Sequence, residues 1–188
     1  MSIVLYPFMV LAAFGFILSV TAHVMSLLGI PTPGGGLVWG LHIGIFIVWI
    51  PTVLVGNRMT RGTNRKDFWK TTLVGCPVWM PRALHVVFFY AIFNFIYFLI
   101  TTSSHPKITG VAPPSVVRGF SGHWMVFYGA AFATLYSAIH APRLLRERKC
   151  PQGHSVTPLD RFCPKCGTAL PESMETPRIP DKPSTMSL

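Results

Sequence analysis

Acidic residues are scarce in this sequence: its 188 residues hold only 6 Asp and Glu, against 16 Lys and Arg. Charged residues make up 12% of the chain, about half of the roughly 25% that soluble domains carry. Residues 1–57 contain no charged side chain, and neither do residues 83–106 and 119–142. Each stretch is long enough for the roughly 20 apolar residues with which a helix crosses a bilayer. This scarcity excludes an ordinary soluble domain and predicts a membrane protein.

Four hydrophobic spans can be placed, at about residues 4–29, 37–55, 83–101 and 122–141. Backbone groups in hydrocarbon must find their hydrogen-bond partners within the segment, so each span is expected to be an α-helix. The predicted fold class is therefore an all-α membrane protein, with a four-transmembrane-helix bundle over residues 1–142. No Lys or Arg precedes the first span, so we expect it to be retained rather than cleaved as a signal peptide.

Basic residues lie mostly on one side of the predicted bundle. The loop after the second span holds six and the tail after Pro142 holds eight, whereas the loop before the fourth span holds only Lys107 and Arg118. By the positive-inside rule, the side with fourteen basic residues is cytoplasmic, and both termini lie there. We expect the bacterial inner membrane. The net charge of +10 then reflects topology and anionic lipid, and no basic-aromatic pattern indicates a nucleic-acid partner.

Three shorter patterns accompany the spans. Residues 71–81 are apolar but too short to cross, so we expect them at the membrane interface or, alternatively, in a re-entrant segment, with Cys76 as a small apolar residue. Glycines recur every four residues on the second span, a spacing that favours close helix packing. A polar stripe on the third span is typical of interhelical hydrogen bonding, or alternatively of a quinone pocket; its members are Tyr90, Asn94 and Tyr97.

The basic tail contains a metal-ligand motif, Cys150-x3-His154 followed by Cys163-x2-Cys166. A structural zinc ion needs four such ligands in a tetrahedron, usually presented in pairs by two tight turns. The eight residues between the pairs are enough for a hairpin that brings the turns face to face. About 20 residues cannot bury a core of their own, so the metal would supply the folding energy. A disulfide or incidental cysteines are the alternatives, and a reducing cytoplasm disfavours the disulfide.

Residues 149–170 resemble the short bacterial zinc-ribbon domain, in which a Cys-Pro-x-Gly-His turn precedes a Phe-Cys-Pro-x-Cys-Gly turn. The sequence departs from the commoner ribbon by placing His154 where a second Cys often stands. Because all four ligands would be used, the zinc is expected to be structural. A ribbon on a membrane anchor is most often a docking module. Residues 171–188, rich in Pro, Ser and Thr, are predicted to be disordered.

Five histidines lie in the predicted spans, which contain no carboxylate. The topology places three near the outer surface and two near the inner surface; the outer group is His23, His42 and His123, and the inner group is His85 and His140. Paired imidazoles at two depths could hold two b-type haems, and the outer three could hold copper or zinc. Packed or interfacial histidine is the third interpretation. His123 and His140 are 17 residues apart, which directs them about 100° away from each other and disfavours two haems along one helix.

No hydrolase, kinase, nucleotide-binding or protease motif is present, so we expect no catalytic activity of the chain's own. The sequence predicts an accessory or docking subunit of a membrane complex, with the lipid bilayer and other subunits as partners. The alternative is a haem-binding membrane subunit in quinone-linked electron transfer.

Overall fold

The computed structural model describes residues 2–101, 113–146, 148–157 and 160–170. The chain divides into two units, Met1–Arg146 and Glu147–Leu188, and the first is mostly helical. The predicted disordered tail, residues 171–188, lies outside the described residues, as does Lys107 in the predicted outer loop.

The first unit consists of four long helices and one short one: α1 Ser2–Leu27, α2 Gly40–Met59, α3 Phe68–Thr72, α4 Trp79–Thr101 and α5 Pro114–His140. Short 3₁₀ helices at Gly35–Trp39, Arg65–Asp67 and Pro142–Leu145 flank them. Several helices extend past one end of the predicted span: α2 ends four residues after the predicted residue 55, α4 begins four residues before 83, and α5 begins eight residues before 122. In contrast, α1 ends two residues before the predicted residue 29, and α2 begins three residues after 37. Hydropathy marks only the apolar middle of a helix, whereas the backbone ladder continues through residues such as Arg82 and Arg118.

In the part of the chain that the structure describes, three segments are long and apolar enough to cross a membrane: Ile3–Leu27, Gly35–Met59 and Trp79–Thr101. The helix α5 has 27 residues, a sufficient length, but it is not among the three by composition. The structure therefore supports a membrane protein with three candidate spanning helices, and the count of four stays a prediction.

The helix α5 is the centre of the unit, since it packs against α1, α2 and α4. Its buried residues include Trp124, Tyr128 and Leu135. Among the described residues, the large apolar side chains that are exposed in this unit lie on the other helices and their flanking segments, and α5 contributes none. This explains its composition: a helix covered by protein can carry Gly, Ser and Thr at positions where a lipid-facing helix needs Leu, Ile or Phe.

Small residues allow these helices to approach α5 closely. A Cβ atom at Gly44 would lie 2.5 Å from the Tyr128 hydroxyl, and one at Gly15 would overlap the Tyr128 ring. The Tyr128 hydroxyl donates to the backbone oxygen of Leu41 at 2.8 Å, which fixes the ring between α1 and α2. A Cβ at Gly40 would meet nothing within 4 Å, so only part of the predicted glycine pattern serves packing against α5.

The segment that follows α3 packs against the C-terminal half of α5. The backbone N–H of Gly75 donates to Ser137 Oγ at 2.9 Å, and the Cys76 thiol donates to the backbone oxygen of Ala133 at 3.2 Å. Burial raises the pKa of Cys76 from its ordinary value of 9.0 to about 11, although its hydrogen bonds to Ser137 act in the opposite direction. Cys76 therefore does more than fill space, because it ties the segment to α5.

Candidate metal centre and intramembrane histidines

The second unit begins with a short hairpin that forms the first ligand-bearing turn. Strand β1, Arg148–Lys149, pairs antiparallel with β2, Ser155–Val156. Between them, the N–H of Cys150 donates to the oxygen of His154 at 2.9 Å, and the N–H of Gly153 donates to the oxygen of Cys150 at 2.8 Å. Gly153 has a φ of 83°, a conformation that glycine adopts without steric cost. The hairpin thus directs Cys150 and His154 to the same side.

The second ligand-bearing turn has the same pattern of backbone hydrogen bonds, but no regular strand pair flanks it. A bridge joins Phe162 to Ala169. Between these two residues, the N–H of Cys163 donates to the backbone oxygen of Thr168 at 2.9 Å, and the N–H of Gly167 donates to the backbone oxygen of Cys163 at 2.8 Å. Gly167 has a φ of 69°. The turn presents Cys163 and Cys166 together, as the Cys-x2-Cys spacing predicts.

The four predicted ligands meet at one point. One ligand atom from each of Cys150, His154, Cys163 and Cys166 lies within 4.8 Å of the others. The Cys150 and Cys166 sulfurs are 3.8 Å apart, and His154 Nδ1 is 3.5 Å from the Cys150 sulfur and 3.8 Å from the Cys163 sulfur. Around tetrahedral zinc, with bonds of about 2.3 Å to sulfur and 2.0 Å to nitrogen, these separations would be roughly 3.8 Å and 3.5 Å. The cluster could therefore hold a metal ion such as zinc.

The cluster is partly buried, and its cysteines differ in pKa. Cys150 and Cys163 are buried together with Val156 and Leu170, which form the small apolar core of this unit. Burial raises the pKa of Cys163, whereas a hydrogen bond with the Thr168 hydroxyl, at 3.2 Å, lowers the pKa of Cys166 to about 6. A thiolate is the form of cysteine that binds metal, so the hydrogen bond with Thr168 favours the coordinating form of Cys166.

His23, the first histidine of the predicted outer group, belongs to a buried polar network between α1, α4 and α5. Its side chain is 4% exposed. The Nδ1 atom lies 2.7 Å from Ser121 Oγ, and the Nε2 atom lies 2.7 Å from the Tyr90 hydroxyl and 3.4 Å from Asn94 Nδ2. Both ring nitrogens are therefore hydrogen-bonded, and neither offers a free lone pair to a metal.

The network defines the tautomer of His23. Ser121 Oγ donates to the backbone oxygen of Arg118 at 3.2 Å, so it accepts from His23 Nδ1–H. The unprotonated Nε2 then accepts from the Tyr90 hydroxyl and, more weakly, from the Asn94 amide. Every donor has an acceptor in this arrangement, which indicates that His23 is a neutral, structural histidine.

His42 and His123 form a pair elsewhere, between α2 and α5. His42 Nδ1 lies 3.3 Å from His123 Nε2, and it also accepts from the indole N–H of Trp124 at 3.1 Å. Indole nitrogen only donates, so Nδ1 of His42 carries no proton and its lone pair is occupied. Rings packed edge-on surround the pair; they are Trp39, Phe46, Phe120 and Phe127. The outer group of three histidines is thus split into two separate environments.

The inner histidines, His85 and His140, are each bound to their own helix. His85 Nδ1–H donates to the backbone oxygen of Pro81 at 2.6 Å, and His140 Nδ1–H donates to that of Tyr136 at 2.9 Å. Both are exposed, and His140 stacks on the Tyr136 ring at 3.8 Å. Among the described residues, the one group of three or more ligand side chains that could hold a metal ion is the cluster of Cys150, His154, Cys163 and Cys166, and the arrangement of the other histidines does not support haem.

Sequence reasoning missed several residues of these networks. Ser121 and Trp124 carried no signal, because their partners lie on other helices. Arg118 was assigned to a loop, although a charge at the edge of an apolar span is itself a sign of an intramembrane contact. The predicted polar stripe of Tyr90, Asn94 and Tyr97 does hydrogen-bond or stack between helices.

Comparison of the chain with protein-family models finds no match, and comparison with curated proteins and with solved structures finds no significant match.

Proposed function

We propose that this chain is a four-span membrane protein of the bacterial inner membrane, and that its cytoplasmic ribbon binds one structural zinc ion and docks another subunit of a membrane complex. The observation that carries the proposal is the convergence of four ligand atoms within 4.8 Å of one another, with three separations close to those around tetrahedral zinc. With all four positions supplied by protein, the ion has no open site for catalysis. Its role is then to fold a small recognition surface.

The fourth span rests on the burial of α5. The helix is enclosed by α1, α2 and α4, so a lower apolar content is compatible with crossing the membrane. Gene fusions test this: alkaline phosphatase fused after residue 110 is expected to be active outside the cytoplasm. A fluorescent protein fused after residue 170 is expected to mature inside the cell. Activity of both reporters on one side would contradict the topology.

Metal analysis tests the ribbon. The full chain, purified in detergent from zinc-replete cells under reducing conditions, is expected to contain about one zinc per chain and to show no Soret band. Cys163→Ser and Cys166→Ser should each lose the zinc, while Cys76→Ser, a matched cysteine outside the cluster, should keep it. Wild-type protein without zinc would refute the ribbon, and a Soret band lost in His42→Ala or His23→Ala would favour the haem alternative.

Docking is tested in native membranes. The chain has a mass of 20.8 kDa, so a complex with a second subunit should migrate well above it in native electrophoresis. We expect one stoichiometric partner that is lost from Cys163→Ser and retained by Cys76→Ser. A complex that is unchanged in the zinc-free variant would show that the ribbon does not dock.

A further inference from the structure

Arg118 is a guanidinium held in a fixed position near the start of α5. Its Nε–H donates to Asn94 Oδ1 at 3.1 Å, and its guanidinium carbon lies 4.7 Å from the centre of the Tyr97 ring. Both contacts come from α4. A planar cation stacked on an aromatic face and hydrogen-bonded through one nitrogen loses most of its freedom to move.

The support behind Arg118 is rigid. Asn94 is 2% exposed, and its amide nitrogen reaches both His23 Nε2 at 3.4 Å and the backbone oxygen of Arg118 at 3.5 Å. The position of the guanidinium is therefore linked to the buried His23 network. Tyr97, in contrast, is 45% exposed, so the Arg118–Tyr97 stack lies at the periphery of the unit rather than in its core.

Within the described residues of the first unit, no carboxylate contacts Arg118. Asp67 is the only acidic residue in residues 1–146, and it precedes the segment in which Gly75 contacts Ser137. Ser137 is about 28 Å along α5 from Arg118, at 1.5 Å per residue. Within the described part of the chain, no acceptor contacts the two terminal nitrogens of Arg118. A partly desolvated cation without a counter-ion is unfavourable at membrane depth unless an anion is supplied from outside the chain.

We propose that Arg118 binds the phosphodiester of an anionic phospholipid. The terminal edge of a guanidinium offers two parallel N–H donors, which match the geometry of two phosphate oxygens. Asn94 and Tyr97 orient this edge, and the exposed face of Tyr97 leaves room for a lipid beside it. With the proposed topology the lipid belongs to the outer leaflet; the site itself does not depend on the zinc ribbon.

The test uses the full chain in nanodiscs of phosphatidylcholine, with or without phosphatidylglycerol. Phosphatidylglycerol is expected to raise the Tm of the wild type by a few degrees and to be retained in native mass spectrometry. Arg118→Gln should lose this gain and bind the lipid about tenfold more weakly, because it loses a charge-assisted hydrogen-bond pair. Arg82→Gln, which removes an exposed arginine of α4, should keep the gain and so controls for net charge.

Two further measurements distinguish a lipid site from a charge effect and from a site for a soluble anion. Arg118→Lys keeps the charge without the guanidinium geometry, so an intermediate gain is expected; it also serves if Arg118→Gln does not fold. Inorganic phosphate added to detergent-solubilised protein should leave the Tm unchanged, and a gain that Arg118→Gln abolishes would assign the site to a soluble anion instead. A phosphatidylglycerol gain that survives in Arg118→Gln and Arg118→Lys would overturn the proposal. Zinc measured in the same samples reports on the ribbon independently.

Discussion

In the predicted ribbon, four ligand atoms lie within 4.8 Å of one another, whereas the five described histidines of the helical unit are distributed over separate environments. His23 is enclosed by Ser121 and Tyr90, and His42 accepts from Trp124. His85 and His140 are bound to their own backbone. Ligand residues are abundant in both units, yet among the described residues only the second unit brings the ligand atoms of three or more side chains together.

The difference arises from how each unit is stabilised. The helical unit has cores of its own, such as the cluster around Trp124, Val48 and Ala131, and its histidines are satisfied by neighbouring polar groups. The ribbon buries only four residues among those described. A unit with so small a core needs another source of free energy, and in the proposed function a metal ion bound by the cysteines and His154 supplies it.

Removal of metal should therefore have the largest effect, and only in the ribbon. Chelation of the purified chain is expected to make residues 148–170 sensitive to protease, because structural zinc contributes about 10–16 kcal/mol of binding free energy in small metal-folded domains. The helices should keep their thermal transition. Added zinc should restore protection. If residues 148–170 resist protease in the presence of chelator, metal is not what stabilises this unit.

A methyl group placed where α1 approaches α5 should destabilise the helical unit. Gly15→Ala would place Cβ against the Tyr128 ring, which is fixed by its bond to Leu41. We expect the free energy of unfolding in bicelles to fall by about 1–3 kcal/mol. Gly40→Ala, where a Cβ meets nothing within 4 Å, is the matched control and should be near neutral. Equal effects at both positions would argue against close packing at Tyr128.

Replacement of a histidine by alanine should reduce stability more in the buried network than at an exposed position. His23→Ala leaves Ser121 and Tyr90 without their partner, so a loss of about 1–3 kcal/mol in the free energy of unfolding is expected. His85→Ala removes an exposed side chain and should change stability by less than about 0.5 kcal/mol. Both can be measured by the same bicelle unfolding assay. A larger loss for His85→Ala than for His23→Ala would show that the buried network is not the main contribution of histidine to stability.

The smallest expected effect concerns the Cys76 thiol. Its pKa is raised from 9.0 to about 11, so the folded state favours the protonated thiol. The stabilisation is present below pH 9 and is lost as the pH rises from 9 towards 11, because the unfolded chain then releases the proton more readily. The pH dependence of alkylation in zinc-loaded protein should show an apparent pKa near 11. A value near 9 would show that the Cys76 thiol is not buried.

The sequence predicted the ribbon cluster well and the helical contacts poorly, for a physical reason. The spacing from Cys150 to His154 and from Cys163 to Cys166 is set by local turns, so the ligand pairs can be read directly from the chain. The apolar stretches likewise located three candidate spans. The position of a residue along the helix axis can be inferred in this way, but the neighbouring helix that its side chain contacts cannot. His23 and His42 were therefore grouped together, although their partners on α5, Ser121 and Trp124, place them apart.

The enclosure of α5 has a consequence for biosynthesis. A helix without exposed large apolar side chains gains little by entering lipid alone, so its insertion depends on a surface that is already present. The chain order provides this surface, because α1, α2 and α4 all leave the ribosome before Pro114. These three helices contact α5 more than they contact one another, so the last helix to be made is the one that assembles the unit.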